Sequence, residues 1–314
     1  MFLVLSIFLT SLLAGDALAQ RGGVDMRWRW PEGRETRFEM VEEMTQEMGV
    51  GTRDAKTRRW NRRIEFTERV VRSDEEESFV ERTITRVVID ADDPEEGRVQ
   101  YDSDQRTRSP HREAESHRLV RPFARMVGQK VSFAITHDGT VTDARGGDDL
   151  FNAMFAELDI SGMPGLSAGA GGGDYRSQIE QSFRVIPRQS VTPGSSWDAR
   201  VEHSIGPIGR IVEETRHTLR GRPAGGRARI NSEGRMSIRL AGGLDGAMGI
   251  RINDATHSGE TVFDLEAGQI VEQKSTIDWS FTVDGVLLDP SRALEDPGEQ
   301  RVNIRQSASL RRMR

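Results

Sequence analysis

Alternating apolar and polar residues are the feature of this sequence that most restricts its fold. Between residues 60 and 70 the alternate positions are Trp60, Arg62, Ile64, Phe66, Glu68 and Val70, and every position between them is polar. Side chains on a β-strand point to opposite faces in turn, so this period of two predicts a strand with one buried face. The same period recurs at residues 131–135, 236–240 and 277–283.

Three short turn signals separate such stretches. They are HDGT at 137–140, SEGR at 232–235 and LEAGQ at 265–269, and each places a glycine where a hairpin needs a positive φ. Strands joined in sequence by hairpins pair antiparallel. We therefore expect a mostly β protein, with one or more twisted or curved antiparallel sheets, hairpins and two short helices.

The two short helices are predicted from apolar residues at helical spacing. The first covers 122–127, starts at Pro122, ends before Gly128 and has a stripe of Phe123, Met126 and Val127. The second covers 149–158, is capped by Asp148 or Asp149 and has a stripe of Leu150, Phe151, Met154, Phe155 and Leu158. We expect these large side chains to fill the core; the alternative is a lid over a ligand cavity.

Residues 36–49 carry both periods. Met40, Met44 and Met48 are four apart, as on a helix, while Phe38, Met40, Glu42 and Met44 alternate as on a strand. We expect a strand here.

A run of Gly, Ala and Ser at 161–174 is the clearest interruption of the chain. It predicts a flexible loop between a β-rich half at 20–160 and another at 175–314. One continuous domain with a long loop is the alternative.

The first 19 residues have the pattern of a signal peptide. An apolar run from Phe2 to Ala14 is followed by Ala17-Leu18-Ala19, which predicts cleavage between Ala19 and Gln20. The run is too short for a comfortable transmembrane helix. We expect a bacterial protein exported to the periplasm or beyond that does not span the membrane after cleavage.

Composition narrows the function further. The sequence has no cysteine, which excludes disulfides, thiolate metal sites and cysteine nucleophiles. Its net charge is −6, or −5 once residues 1–19 with Asp16 are removed, so nucleic acid is not an expected partner. The 35% hydrophobic content suits a sheet with one face in water.

The stretch GLSAG at 165–169 has the G-x-S-x-G spacing of a serine hydrolase. A nucleophile elbow needs a strand before the serine and a helix after it. Here Pro164 precedes the motif and a glycine run follows it, so we interpret Ser167 as a loop residue. A hydrolase that uses Ser167 is the least favoured function.

Metal sites are not expected either. IDADDPEEG at 89–97 groups Asp90, Asp92 and Asp93, but Pro94 and Glu95 occupy positions that do not suit an EF-hand, which leaves a solvated turn or a weak cation site. GGDD at 146–149 is interpreted as helix capping. None of the histidines (111, 117, 137, 203, 217 and 257) has a zinc-binding spacing, although a long-range site remains an alternative.

The five tryptophans are interpreted as core residues. They stand at positions 28, 30, 60, 197 and 279, mostly in alternating stretches. A wall on which a ligand stacks is the minority interpretation.

Four motifs resemble an uncharacterised family of exported bacterial proteins, the domain of unknown function numbered 6263. They are YDSD at 101–104, VGQKVSFAITHDGTV at 127–141, VTPGSSWD at 191–198 and GETVFDLEAGQIVEQ at 259–273. The resemblance implies a signal peptide and a β-rich fold. It brings no activity and no site residue, and 161–174 looks like an insertion relative to its pattern.

Together these observations predict an exported envelope protein that binds or scaffolds and is not an enzyme. No catalytic, cofactor-binding or metal-binding residue is expected, and no cofactor. The partner is unidentified, and the first alternative is a carrier of apolar ligands or lipids in a half-barrel cavity.

Overall fold

A computed structural model describes residues 23–50, 53–94, 96–147, 175–204, 209–221, 223–240, 250–284 and 299–313. Twelve strands dominate it. They are β1 Glu35–Val50, β2 Arg53–Ser73, β3 Glu77–Asp93, β4 Gly97–Asp102, β5 Lys130–Thr136, β6 Val141–Arg145, β7 Ser196–Ser204, β8 Gly209–Leu219, β9 Arg227–Leu240, β10 Ile250–Asp264, β11 Gln269–Asp284 and β12 Glu299–Arg312. The helices are α1 His111–Ala114, α2 Arg121–Ala124 and α3 Tyr175–Phe183, with a 3₁₀ turn at Ser103–Gln105.

All twelve strands form one antiparallel sheet, which confirms the predicted fold class. Its order is β6-β5-β3-β2-β1-β12-β11-β10-β9-β8-β7, and β4 pairs with β3. We call β1–β6 the first arm and β7–β12 the second arm. The arms meet at the centre, where β1 pairs with β12 from Phe38 opposite Arg312 to Val50 opposite Gln300. The strands before and after the glycine-rich stretch therefore share one sheet.

The alternation that predicted β2 corresponds to its two faces. Ile64, Phe66 and Val70 are buried, and so is Glu68 between them. The opposite face of the sheet carries exposed ion pairs such as Arg216 with Asp198 at 2.9 Å. Pairs of this kind contribute little stability, but they keep the outer face polar.

The conflict at residues 36–49 is resolved as a strand, as expected. β1 is paired along its length with β2 on one side and β12 on the other. Hydrogen bonds to two neighbours, and the burial of Phe38, outweigh a local helical period because tertiary contacts decide marginal propensities.

Two of the three predicted turns are confirmed and one is wrong. HDGT joins β5 to β6 with Gly139 at φ +85°, and the LEAGQ stretch joins β10 to β11 with Gly268 at φ +62°. SEGR instead lies inside β9. A Cβ built on Gly234 would lie 2.7 Å from Glu214 O and from Thr215 Oγ1, so this glycine permits a close approach of β8.

Residues 24–33, which we call the closing segment, cross one end of the sheet and link its arms. Val24 and Val191 exchange backbone hydrogen bonds, Trp28 N–H donates to His137 O, and Arg29 N–H donates to Gly268 O. The segment thus contacts the turns of both arms. The sheet is curved enough for buried residues of β5 and β10 to share one core cluster with Trp28 and Trp30.

The second core cluster lies under residues 103–128. Phe123 of α2 is buried there with Phe38, Phe66 and Val120, and Gly128 follows at φ +82°. The helix predicted at 122–127 is confirmed in position, although it is shorter. The helices α1 and α3 were not predicted, and the helix predicted at 149–158 lies outside the described residues. No helix in the described part of the chain is long and apolar enough to cross a membrane.

A pair of glycine variants tests how closely the closing segment packs. A Cβ on Gly268 would lie 2.6 Å from Arg29 N, whereas one on Gly33 (φ +76°) would meet nothing within 4 Å. We expect Gly33→Ala to lower the free energy of unfolding by about 1 kcal/mol through backbone strain alone. Gly268→Ala should cost roughly 1–3 kcal/mol more because Arg29 must move. Urea unfolding measures both, and equal losses would contradict the packing described.

Candidate functional site: a two-part trough on the inner face

An apolar pocket lies on the inner face where the arms meet, with a volume of about 370 Å³. β1 and β12 form its floor, while the closing segment and α3 form one wall. Six of its residues are Trp30, Phe38, Met40, Phe66, Phe183 and Leu310. The stripe predicted at 122–127 divides between core and pocket, since Phe123 is buried in the core and Met126 lines this pocket. The stripe predicted at 149–158 lies outside the described residues.

One buried ion pair stands in the pocket wall. Arg82 Nε and Nη2 donate to Glu68 Oε1 at 3.0 and 2.6 Å, and Glu68 is 5% exposed. The guanidinium carbon lies 4.7 Å from the ring centre of Phe66 and 5.6 Å from that of Phe133. Because the two charges are paired, this wall carries no net charge.

Three buried polar atoms at the pocket have no hydrogen-bond partner among the described residues. They are Trp28 Nε1, Trp30 Nε1 and Gln269 Oε1, in side chains no more than 4% exposed. Buried donors and acceptors are normally satisfied, because leaving one unpaired costs free energy. All three atoms are buried within the pocket wall, and Trp28 Nε1 lies toward the β5–β6 turn, where a Cβ on Gly139 would be 2.9 Å from it.

A polar compartment of about 230 Å³ adjoins the apolar pocket. Both spaces are lined by Ser182, Gln273 and Ser275, so they are neighbours on the inner face, and we call the two together the trough. Many of its polar side chains come from three adjacent strands: Glu213, Thr215 and His217 from β8, Ser232 from β9, and His257 and Thr261 from β10. Apolar side chains line the same space: Val185, Ala199, Val201 and Ile277.

Short contacts connect these side chains. His217 Nδ1 and Ser232 Oγ are 2.8 Å apart in a hydrogen bond, and Thr215 Oγ1 donates to Glu213 Oε1 at 2.9 Å. His257 Nδ1 lies 3.3 Å from Glu213 Oε1. The two atoms are close enough for an ion pair, but their geometry is not that of a hydrogen bond. The cross-strand register creates this group, since His217 stands opposite Ser232 and Gly234 stands opposite His257.

His217 is held in its neutral form. Burial, followed by the charge of nearby His257, lowers the pKa of His217 to about 4, while Asp198 acts in the opposite direction. The imidazole is therefore uncharged at neutral pH. In that form one ring nitrogen donates a hydrogen bond and the other accepts one.

This pKa makes stability depend on pH. The unfolded chain binds a proton at His217 near pH 6.5 while the folded protein does not until about pH 4, so stability falls as pH drops through that window. We expect His217 to account for a loss of about 2 kcal/mol between pH 7.5 and pH 5. Urea unfolding of the wild type and of His217→Gln at both pH values measures it. Equal losses in the two proteins would contradict it, because the charged neighbours Glu213, His257 and Asp198 are present in both.

The acidic group at 89–97, which the sequence left open as a weak cation site, is neutralised by arginines. Asp90 accepts from Arg98 at 2.7 Å, which lowers its pKa, and buried Asp93 lies 3.3 Å from Arg118 Nη2. No group of three potential metal-ligating residues occurs within the described ranges. Ser167 and the Asp148–Asp149 pair lie outside those ranges.

The histidines separate into different parts of the molecule. His217 and His257 meet in the polar compartment, whereas His111 and His117 lie in residues 103–128 and His137 lies in the β5–β6 turn. The sequence did not predict the compartment. The signal that could have found it is the hairpin register that places His217 opposite Ser232.

Comparison with known proteins identifies the family of this chain. A family model, the family of unknown function DUF6263, matches residues 79–252, more than half of the sequence. The chain belongs to this family. The match confirms the predicted resemblance and covers β3 to β9 of this DUF6263 protein, so β1, β11 and β12, which line the apolar pocket, lie outside the matched stretch.

No curated protein matches the sequence of this DUF6263 protein. A solved structure titled as lipid-protein interactions in lipovitellin aligns over 91% of the chain and 26% of its own, with 9% identity and a TM-score of 0.49. DynF from the dynemicin biosynthesis pathway of Micromonospora chersina aligns over 91% and 85%, with 6% identity and a TM-score of 0.19. The DUF6263 protein thus spans about a quarter of the lipovitellin chain, and neither TM-score establishes a common fold or function.

Proposed function

We propose that this protein is a non-enzymatic carrier that holds one molecule of an apolar, lipid-like ligand in the trough. The observation that carries the proposal is the apolar pocket itself. Its volume falls in the range of small-molecule sites, and it is lined mainly by apolar side chains with a few fixed polar groups, as such sites are.

Binding without catalysis is supported by the position of Ser232. It lies within β9, which pairs with β8 on one side and β10 on the other. Backbone amides engaged in a sheet are not free to stabilise an oxyanion, so the Ser232–His217 pair lacks a component that acyl transfer needs.

Export is the second part of the proposal. Residues 1–19 lie outside the described ranges, and the apolar run with Ala17-Leu18-Ala19 is its support. The intact mass of protein from an envelope fraction should correspond to a chain that begins at Gln20. Retention of residues 1–19 would contradict export by cleavage.

A cavity-filling variant tests the carrier function. Ala308 lines the apolar pocket from β12, and its neighbour Ser307 points to the other face of the same strand. With the uncharged fluorophore N-phenyl-1-naphthylamine as probe, we expect saturable binding to the wild type and to Ser307→Phe. Ala308→Phe should bind at least about tenfold more weakly, a difference of about 1.4 kcal/mol.

Two results would refute the carrier. One is the absence of saturable probe binding by the folded wild type. The other is equal binding by Ala308→Phe, provided that circular dichroism shows both phenylalanine variants to be folded.

A further inference from the structure

We propose that the polar compartment receives the uncharged, hydroxyl-bearing head group of an amphipathic ligand whose acyl tail lies in the apolar pocket. A monoacylglycerol is the simplest molecule of this class. The inference rests on the proposed carrier function and specifies the ligand.

The adjacency of the two spaces is the first support. Ser182, Gln273 and Ser275 line both, so the tail and the head group of one amphipathic molecule would lie on either side of these residues. Along β8 and β9 the inner face changes from apolar to polar. Leu219 and Ile230 are buried near the end that the closing segment crosses, and His217 and Ser232 occupy the next inward positions.

Hydrogen-bonding capacity is the second support. Thr215, His217, Ser232 and Thr261 are all less than 9% exposed and stand on the inner face of adjacent strands. His217 pairs with Ser232 and Thr215 pairs with Glu213, and each hydroxyl oxygen keeps acceptor capacity beyond that one bond. Hydroxyls both donate and accept, and so does a neutral imidazole, which matches the two-way hydrogen bonding of a glycerol or sugar hydroxyl.

Access to Ser232 is the third support. Gly259 of β10 stands directly opposite it, so that position contributes no side chain beside the Ser232 hydroxyl. A Cβ on Gly259 would also lie 2.7 Å from Lys274 O, which explains why the position is bare.

Charge distinguishes between head groups. The carboxylate of Glu213 opposes an anionic head, and His217 is uncharged at neutral pH. The cationic groups of the lining residues are occupied elsewhere: Arg184 bonds Glu180, and Lys274 lies 2.7 Å from Glu272. His257 faces Glu213 itself. The compartment therefore favours a neutral head over a carboxylate or a phosphate.

Displacement of N-phenyl-1-naphthylamine by 1-monoolein and by oleate at pH 7.5 tests the inference. The two competitors share one acyl chain and differ in head group. We expect wild-type protein to bind monoolein at least about tenfold more tightly than oleate. Tighter binding of oleate, or equal binding of the two, would overturn the inference and leave the carrier function standing.

Variants locate the effect in the compartment. Ser232→Ala and the isosteric Thr215→Val should each weaken monoolein several-fold and weaken N-phenyl-1-naphthylamine, which has no hydroxyl head group, by a smaller factor. Ser258→Ala, on the exposed face of β10 beside Gly259, is the matched control and should change neither. Unchanged monoolein affinity in both compartment variants would overturn the inference. If the wild type binds no probe at all, the carrier function itself fails.

Discussion

Replacing Trp28 with alanine should lower the free energy of unfolding by about 3–5 kcal/mol, the range for removing a buried aromatic side chain. Trp28 is 2% exposed. The centre of its ring lies 4.8 Å from that of Phe183 in α3 and 5.3 Å from that of Phe263 in β10. In both contacts the rings are nearly perpendicular. The variant therefore removes aromatic contacts that join the closing segment to α3 and to the second arm, and leaves the backbone bond from Arg29 to Gly268.

Chemical denaturation followed by far-ultraviolet circular dichroism measures this loss. Val71→Ala is the control, because Val71 is 51% exposed on β2 and its truncation should change stability by less than about 0.5 kcal/mol. A loss below about 1 kcal/mol for Trp28→Ala would show that the closing segment does not hold the arms together.

The second large effect is expected at the buried ion pair. Arg82→Met keeps an apolar stem against Phe66 and Phe133 but leaves the Glu68 carboxylate buried without its cation. Loss of one partner from such a pair costs about 3–5 kcal/mol, whereas replacing both with apolar residues is often neutral. We therefore expect Arg82→Met to be strongly destabilising, and Glu68→Leu/Arg82→Met to recover most of the loss.

A double-mutant cycle at neutral pH checks this expectation, with unfolding free energies for the wild type, both single variants and the double variant. The predicted coupling is large because the two side chains share one desolvated contact. Additive losses would mean that Arg82 acts through other partners and that the pair does not set the polarity of the pocket wall.

Local pattern was enough to predict most of the strands. The alternation at 60–70 and the turn glycines Gly139 and Gly268 report on interactions within a hairpin, which depend on residues close in sequence. The turn predicted at Gly234 was wrong because a glycine can permit either a turn or a close approach between strands. Only the neighbouring strand, with Thr215 against it, distinguishes the two.

The trough could not be predicted because it depends on non-local geometry. The apolar pocket needs β1 beside β12 and the closing segment folded back across both arms, and neither follows from local periodicity. The tryptophans at 28 and 30 were correctly predicted to be core residues, as their burial confirms. Their position at the wall of a pocket also fits the interpretation as a ligand-facing wall, which the sequence had favoured less.

The β1–β12 pairing also determines the order in which this sheet can assemble. Each arm is largely a succession of hairpins between neighbouring strands, whereas the central pair joins Phe38 to Arg312 across nearly the whole sequence. Closing so long a loop is slow, because its entropy is lost before the contacts form. The arms are therefore expected to fold early and to join late. The apolar pocket takes Met40 from one side of that junction and Leu310 from the other. Under the proposed carrier function, only chains that have completed this final step could load a ligand, and a bound ligand would hold the junction closed.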